Sequence, residues 1–171
     1  MASPFSGRAF RHILWPARGL HAERGCDMCR IYDVIREQDT YCAEISQNVM
    51  EVVREMVARN IGAVPVLCDG KLAGIFSERD LMHRIVVDHR DPHATTVGDV
   101  MTPDPQTVSP DEDLEICLRL MRQHGFRHLP ICADGKLVGV VSLRDILLRD
   151  LSDKDDEVRM MRAYIQSSPE V

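Results

Sequence analysis

A serine and an aspartate three residues apart occur twice in the chain, in the segments GIFSERDL and GVVSLRDI. The pairs are Ser77 with Asp80 and Ser142 with Asp145, so the two motifs are separated by 65 residues. A serine followed three residues later by a carboxylate is the sequence form of a capping box, which closes the first turn of a helix. Such a cap contributes on the order of 1 kcal/mol, so capping alone accounts for both pairs.

The same side chains could instead hold a small polar ligand. A carboxylate at the mouth of a cleft can accept two hydrogen bonds from the vicinal hydroxyls of a ribose, while a hydroxyl and exposed N–H groups meet a phosphate. Because the carboxylate repels a phosphate, cations must lie nearby. Arg79 and Arg144 lie inside the motifs, and Arg127-His128 stands where the first copy has Gly62-Ala63. The sequence therefore predicts two unequal sites, of which the second is more basic.

Both motifs belong to a duplicated segment. Shifting the sequence by 65 residues places DGKL at Asp69 on DGKL at Asp134, and Pro65 on Pro130. A further match, Ile31-Tyr-Asp-Val with Val97-Gly-Asp-Val, marks the start of each copy. Two copies of about 60 residues thus follow each other, which is the pattern of a tandem structural repeat.

The hydrophobic period changes in the same order in both copies. Apolar residues at helical spacing come first, then two short apolar runs around Asp-Gly, which is the signal of a β-hairpin. The helical positions are Val49, Val52, Val53 and Met56 in the first copy and Leu114, Cys117, Leu118 and Met121 in the second. A second helix is expected after each motif serine. We expect its inner side to carry Leu81, Met82, Ile85 and Val86 in the first copy, and Ile146, Leu147 and Leu151 in the second.

Each copy is therefore predicted to fold as strand, helix, strand, strand, helix, in the α+β class. Neither copy can cover both faces of its own sheet, so the copies should pack as a pseudo-twofold pair with clefts between them. The expected divisions are a mobile N-terminal extension at 1–29, domains at 30–90 and 91–151, and a charged helical tail at 152–171.

The tandem pattern resembles a CBS domain pair, or Bateman module, over about residues 31–151. The matching phrases are IGAVPV and GKLAGIFSERD in the first copy, then VGDVMT, FRHLP and GKLVGVVSLRD in the second. SERD and the ending RAYIQ are similar to those of small stand-alone CBS-pair proteins of bacteria and plant mitochondria. The resemblance implies a homodimeric regulatory sensor, not an enzyme, that binds AMP, ADP, ATP, NAD(H) or S-adenosylmethionine and modulates an unidentified protein. Mg²⁺ would accompany the ligand if it is ATP, and no cofactor is obligatory.

The resemblance also implies roles for single residues. Asp80 and Asp145 would hold ribose, and Ser77 and Ser142 would touch ribose or phosphate. Arg127, His128 and Arg79 would neutralise phosphate, with Arg144 beside them. The rest of the predicted ligand-binding set, placed near the adenine slot, is Cys42, Gly62, Ala63, Val64, Pro65, Thr107, Leu129 and Pro130.

Charge and hydropathy narrow the class of protein. A net charge of −6 and a pI near 5.6 argue against nucleic-acid binding, and no run approaches the roughly 18 apolar residues of a membrane span. The opening 22 residues contain three arginines and no acid, as in a mitochondrial transit peptide or a mobile bacterial extension. We expect a cytoplasmic protein, with mitochondrial localisation as the alternative.

The six cysteines predict a reducing compartment, because no secretory signal accompanies them. Cys26 and Cys29 have the spacing of a redox or metal pair, but no second pair completes a zinc site, so they are weak candidates. A metal-linked or redox-linked interaction protein and a ligand-free dimeric adaptor are the alternative functions. The sequence contains no recognisable catalytic triad and no GxxxxGK[ST] loop, either of which would indicate an enzyme.

Overall fold

The computed structural model describes residues 31–35, 39–151 and 159. A short helix, α1 (Ile31–Ile35), precedes the first repeat, and α4 (Val97–Val100) with the short strand β4 (Thr102–Pro103) precedes the second. The first repeat contains β1 (Ala43–Glu44), α2 (Val49–Arg59), β2 (Ala63–Cys68), β3 (Lys71–Ser77) and α3 (Glu78–Leu81), which continues as a π-helical segment (Met82–Val87). The second contains α5 (Leu114–His124), β5 (His128–Ala133), β6 (Lys136–Ser142) and α6 at 143–151.

The sheet of the first repeat has four strands in the order β1-β2-β3-β4, with β1 parallel to β2 and the other pairs antiparallel. In the second repeat β5 and β6 form an antiparallel pair, and Val108 makes a single parallel bridge to Ile131. The predicted order of strand, helix, strand, strand, helix is confirmed in the first repeat. In the second, the first strand is reduced to that bridge.

Both predicted hairpins are present, and their turns explain the repeated Asp-Gly. Asp69 and Gly70 have φ values of 51° and 75°, and Asp134 and Gly135 have 50° and 73°. Two successive positive φ values define a type I′ turn, whose twist matches that of the flanking strands. Aspartate and glycine tolerate these angles better than most residues. The local sequence therefore fixes both hairpins.

The amphipathic helices α2 and α5 bury the predicted apolar stripe. Asn48 caps α2 by accepting a hydrogen bond from the Met50 amide at 2.8 Å, and Asp113 caps α5 by accepting one from Glu115 at 3.1 Å. The buried residues are Val49, Val52 and Met56 on α2, and Leu114, Cys117 and Met121 on α5. This part of the sequence prediction is confirmed.

Each core contains a short helix that belongs, in the sequence, to the other copy. Val97 and Val100 of α4 are fully buried in the core of the first repeat, whereas Ile31 and Ile35 of α1 lie in the core of the second. The strand β4 also pairs with β3 of the first repeat. The packing units therefore differ from the sequence repeats, because each core is completed by chain that belongs to the other copy.

The second helix of each repeat corrects one sequence prediction. Ile85 and Ile146 are buried as expected, but the other apolar residues assigned to the inner side, apart from the half-buried Leu81, are largely exposed. The exposed residues are Met82 (63%), Val86 (63%), Leu147 (46%) and Leu151 (61%). Each core already holds two residues from α4 or α1, so the helix contributes only one edge to it. Within the described ranges, no helix is long and apolar enough to cross a membrane.

Candidate functional site

Both Ser-x-x-Asp motifs form the predicted capping box. The Ser77 amide donates to Asp80 Oδ2 at 2.9 Å, and the Asp80 amide donates to Ser77 Oγ at 3.4 Å. In the second repeat the matching distances between Ser142 and Asp145 are 3.1 and 3.2 Å. Each serine hydroxyl also donates to the same Oδ2 at 2.6 Å. Capping therefore engages Oδ2 of both aspartates and leaves Oδ1 for other partners.

The Oδ1 atoms of the two aspartates have different surroundings. Asp80 Oδ1 accepts a hydrogen bond from the Thr102 hydroxyl at 3.1 Å and lies 3.5 Å from Arg84 Nη1. Asp80 is correspondingly buried, at 9% exposure. Asp145 is half-buried, and its Oδ1 accepts no hydrogen bond from residues that the structure describes. The second motif thus offers an acceptor that the first has already used.

A cavity of about 1070 Å³ lies along the seam between the repeats, beside Asp145. Its lining comes from both copies, so neither repeat could form it alone. The first half of the chain supplies Asp39, Thr40, Tyr41, Arg59, Asn60, Ile61, Gly62, Ala63, Pro65 and Glu78. The second half supplies Arg127, His128, Val140, Ser142, Leu143, Arg144, Asp145, Leu147, Leu148 and Leu151. This volume is that of a small-molecule site.

Charged side chains of both signs line this cavity. Its cations are Arg59, Arg127 and Arg144, and its carboxylates are Asp39, Glu78 and Asp145, with His128 beside them.

Two equivalent backbone hydrogen bonds connect the first residue of α3 and of α6 to the residue just before β2 and β5. Glu78 N donates to Gly62 O at 3.1 Å, and Leu143 N donates to Arg127 O at 2.8 Å.

Gly62 leaves the space in which side chains from the two repeats meet. A Cβ at this position would lie 3.3 Å from Glu78 Oε2 and 3.3 Å from His128 Cε1. Glu78 belongs to the first repeat and His128 to the second, so an acid and an imidazole face each other across the seam. A larger residue at 62 would have to displace one of these side chains.

Burial lowers the pKa of His128 from its ordinary value of 6.5, and the neighbouring Arg127 lowers it further. Glu78 and Asp145 act in the opposite direction, but the net shift is downward. The imidazole is therefore neutral at pH 7 in the absence of ligand. A phosphate placed beside it would favour the protonated form, because an opposite charge at short range raises the pKa of a histidine.

One wall of the cavity is aromatic and apolar. The guanidinium of Arg59 lies 5.0 Å from the centroid of the buried Tyr41 ring, a cation–π contact, and Arg59 Nε pairs with Glu55 at 3.1 Å. Ala63 and Pro65 of β2 line the same cavity. A flat heterocycle can pack against such side chains.

Eight of the predicted ligand-binding residues line this cavity and eight do not. Those that line it are Gly62, Ala63, Pro65, Arg127, His128, Ser142, Arg144 and Asp145. Ser77, Arg79 and Asp80 lie outside it, and Arg79 Nη1 donates to the carbonyl of Gly125 at 3.0 Å. Thr107 is exposed outside the cavity, whereas Cys42, Val64, Leu129 and Pro130 are buried and do not line it. Burial raises the pKa of Cys42 to about 12, so its sulfur is a protonated thiol.

Several cavity residues were missed by the sequence prediction. Tyr41 and Arg59 come together only in the fold, where the last turn of α2 passes the segment before β1. The sequence could have pointed to Glu78, because this acid lies inside SERD at the position where the second copy has Leu143. Leu147 and Leu151 were predicted to face a core, but they line the cavity.

The described cysteines differ in burial. Cys42 and Cys117 are buried free thiols, Cys132 is half-buried and Cys68 is exposed. Cys68 is the last residue of β2, where the chain leaves the core for the hairpin turn. Cys26 and Cys29 lie outside the described residues. Within the described residues no group of three or more His, Cys, Asp or Glu side chains could hold a metal ion.

Two packed repeats with a shared charged cavity along their seam define a tandem-repeat module with a site of small-molecule size. The family model of the CBS domain matches residues 31–87 and 97–152. The chain therefore belongs to the CBS-domain family, and its fold is a pair of CBS repeats.

Relatives and solved structures agree with this assignment. The chain is 31% identical over 156 residues to the mitochondrial CBS domain-containing protein CBSX3 of Arabidopsis thaliana, covering 84% of this chain and 75% of that protein. A CBS-domain protein from Burkholderia ambifaria superposes with a TM-score of 0.70 at 28% identity, covering 73% of this chain and 96% of that one. CBSX2, solved in complex with AMP, gives a TM-score of 0.63 at 28% identity, covering 73% and 98%.

Proposed function

We propose that this protein is a regulatory module that binds an adenosine nucleotide, with AMP as the first candidate, in the cavity between its repeats. The observation that carries the proposal is the position of Asp145, whose Oδ1 is unengaged by described residues and borders a cavity that also contains Arg127, His128 and Arg144. The AMP complex of the related CBSX2 supports this choice of ligand. ADP, ATP, NAD(H) and S-adenosylmethionine are the other candidates.

Each part of the nucleotide would face cavity residues of matching chemistry. The Asp145 carboxylate would accept hydrogen bonds from the two ribose hydroxyls, as an ionised acid does best. Arg127 and Arg144 would bind the phosphate, and His128 would add a donor once protonated. The adenine would pack against Ala63 and Pro65. Asp39 and Glu78 lie in the same cavity, so a ligand with fewer phosphates meets less repulsion than ATP.

Removal of the Asp145 carboxylate tests the proposal. Asp145→Ala should weaken AMP binding roughly 10- to 100-fold, the cost of losing hydrogen bonds to a charged acceptor, and should lose about 1 kcal/mol of stability with the cap. Asp99→Ala is the matched control, because Asp99 closes an exposed capping box with Thr96 and does not line the cavity. Titration calorimetry measures the AMP affinity of both variants. Unchanged AMP affinity in a folded Asp145→Ala protein would refute the proposed site.

We propose that a second copy of the chain covers the exposed apolar side chains of the helices that follow the two motifs. Met82 and Val86 in the first repeat occupy the positions of Leu147 and Leu151 in the second. A surface that recurs by pseudo-symmetry suits an isologous dimer contact, in which equivalent patches meet. Met82→Glu should therefore weaken dimerisation in analytical ultracentrifugation without removing a cavity residue. Val57→Glu, on the exposed face of α2, should have no effect.

This arrangement suggests how the ligand would be read by a partner protein. Leu147 and Leu151 both line the cavity and belong to the proposed dimer surface. A nucleotide that contacts α6 would therefore bind one dimer arrangement better than another, and it can bias the equilibrium only by that difference in affinity. The regulated protein would bind the favoured arrangement. The role proposed here is regulatory rather than catalytic.

Two alternative functions have direct tests. A ligand-free dimeric adaptor would show no thermal stabilisation by any adenine nucleotide, whereas the proposed sensor gains stability with ligand concentration. A metal-linked protein would carry stoichiometric zinc, measurable by elemental analysis, and would lose it in a Cys26→Ser, Cys29→Ser variant.

We propose a cytoplasmic protein, and the mitochondrial alternative gains support from the mitochondrial relative CBSX3. A fusion of residues 1–30 to a fluorescent reporter, followed by imaging and fractionation, distinguishes the two compartments.

A further inference from the structure

We propose that Arg84 occupies the position beside Asp80 where a ribose would bind, so that each chain binds one nucleotide, at Asp145, and none at Asp80. The proposal rests on the nucleotide-binding function proposed above. It concerns the number of sites, which neither the duplicated motif nor the family assignment decides.

The Asp80 carboxylate has no oxygen left for a ribose. Its Oδ2 accepts from the amide and hydroxyl of Ser77 at 2.9 and 2.6 Å. Its Oδ1 accepts from the Thr102 hydroxyl at 3.1 Å and lies 3.5 Å from Arg84 Nη1. These donors supply from within the protein the contacts that two ribose hydroxyls would make. A ribose would have to displace a partly buried ion pair, whose partners would then be left unpaired.

Arg84 is held in this position by the segment between α4 and β4. Its Nη1 donates to the carbonyl of Val100 at 3.0 Å and to the carbonyl of Met101, and its Nη2 lies 3.4 Å from Thr102 Oγ1. Nη1 has only two N–H groups, which the two carbonyls accept, so its contact with Asp80 is an ion pair rather than a hydrogen bond. Moving Arg84 away would remove a donor from two backbone carbonyls and a cation from a carboxylate.

The segment that holds Arg84 is itself fixed. Val100 is fully buried in the first core, and β4 pairs with β3 through Gly74–Pro103 and Ile75–Thr102. A Cβ on Gly74 would lie only 2.8 Å from the Thr102 carbonyl oxygen, so the backbones are in close contact. The carbonyls that hold Arg84 therefore cannot follow it, so displacing this side chain breaks its hydrogen bonds to them.

The first motif also has fewer cations with which to bind a phosphate. Arg79 donates to the Gly125 carbonyl at 3.0 Å, whereas its equivalent Arg144 lines the cavity. The positions of Arg127 and His128 are occupied in the first repeat by Gly62 and Ala63. Both the ribose acceptor and the phosphate cations are therefore concentrated at the second motif.

Titration calorimetry of the full chain with AMP measures the number of sites directly. We expect one AMP per chain and an affinity that Asp80→Asn leaves within twofold of the wild-type value. Two AMP per chain, or a tenfold loss of affinity in Asp80→Asn, would overturn the inference while leaving the proposed function intact. Absence of binding by any adenosine nucleotide would overturn the proposed function and the inference with it.

Arg84→Met tests the occupant itself. This variant should bind a second AMP, more weakly than the first, because Asp80 Oδ1 then has only the Thr102 hydroxyl as a partner and can also accept from a ribose. Arg54→Met, which removes an exposed arginine of α2, controls for the change in net charge and should still bind one. A folded Arg84→Met protein that binds one AMP would rule out Arg84 as the occupant. If that variant does not fold, the stoichiometry of the wild type still decides the number of sites.

Discussion

Arg79 Nη1 donates a hydrogen bond to the carbonyl oxygen of Gly125 at 3.0 Å, which joins α3 of the first repeat to the C-terminal cap of α5 in the second. The equivalent residues in the other half of the pseudo-twofold pair are Arg144 and Asn60, and both line the cavity. The same pair of positions therefore serves as an inter-repeat contact on one side and as part of a cavity wall on the other. This difference between the halves underlies several testable expectations.

The phosphate end of the cavity should depend on Arg144 and not on Arg79. Arg144→Met is expected to lower AMP affinity roughly tenfold while changing adenosine affinity little, because a charge-assisted contact to the phosphate is lost. Arg79→Met is the matched control, and it should alter stability more than affinity. Calorimetry with AMP and adenosine separates the two effects. Equal losses for both ligands would contradict a phosphate role for Arg144.

The stability of the ligand-free protein should fall as the pH drops below about 6.5. His128 has a lowered pKa in the folded state, so the unfolded state binds more protons in this range, and stability is full above 6.5 and lost below it. His128→Gln should show a smaller decrease between pH 7.5 and 5.5 in urea denaturation. A pH dependence identical to that of the wild type would contradict the shift.

The affinity for AMP should rise as the pH falls, whereas the stability of the ligand-free protein falls. The phosphate favours the protonated imidazole, so binding takes up protons and tightens as the pH falls from 8 towards 6.5. The phosphate of AMP also titrates near pH 6, but this is common to wild type and His128→Gln. The difference between the two proteins, measured by calorimetry in buffers of different ionisation enthalpy, therefore isolates His128. Equal proton uptake by both would place the phosphate away from this residue.

The equivalent glycines Gly74 and Gly139 should respond differently to alanine. A Cβ at Gly74 would lie 2.8 Å from the Thr102 carbonyl oxygen, whereas one at Gly139 would lie 3.3 Å from the end of the Ile35 side chain, which can move. Gly74→Ala should cost about 1–3 kcal/mol, as overpacking typically does, and Gly139→Ala distinctly less. Urea midpoints of the two variants provide the comparison. A larger loss at Gly139 would contradict the close approach of β3 and β4.

Thiol labelling should distinguish the described cysteines. Cys68 is exposed and should react with a maleimide or disulfide reagent at pH 8 in the folded protein. Burial raises the pKa values of Cys42 and Cys117 to about 12, so these thiols should react only after unfolding. Peptide mass spectrometry assigns the labelled sites. Rapid labelling of Cys42 in the native protein would show that the wall behind Tyr41 opens.

Local spacing in the sequence determined the elements of each repeat. The stripe of α2, the Asp-Gly turns and both capping boxes were predicted and are present, because each depends on residues within a few positions of one another. Three of the eight predicted residues that line the cavity, Ser142, Arg144 and Asp145, belong to the second of these capping boxes. The difference between the more basic second motif and the first was also evident from the sequence.

Only the tertiary structure decided which distant residues each of the two motifs contacts. Asp80 meets Thr102 across 22 residues and Arg79 meets Gly125 across 46, and neither contact has a periodic signal in the sequence. The exchange of α1 and α4 between the cores likewise depends on the packing of whole repeats. Equivalent local motifs therefore acquire different partners, because burial and hydrogen bonding are satisfied by whichever distant segment the fold brings to them.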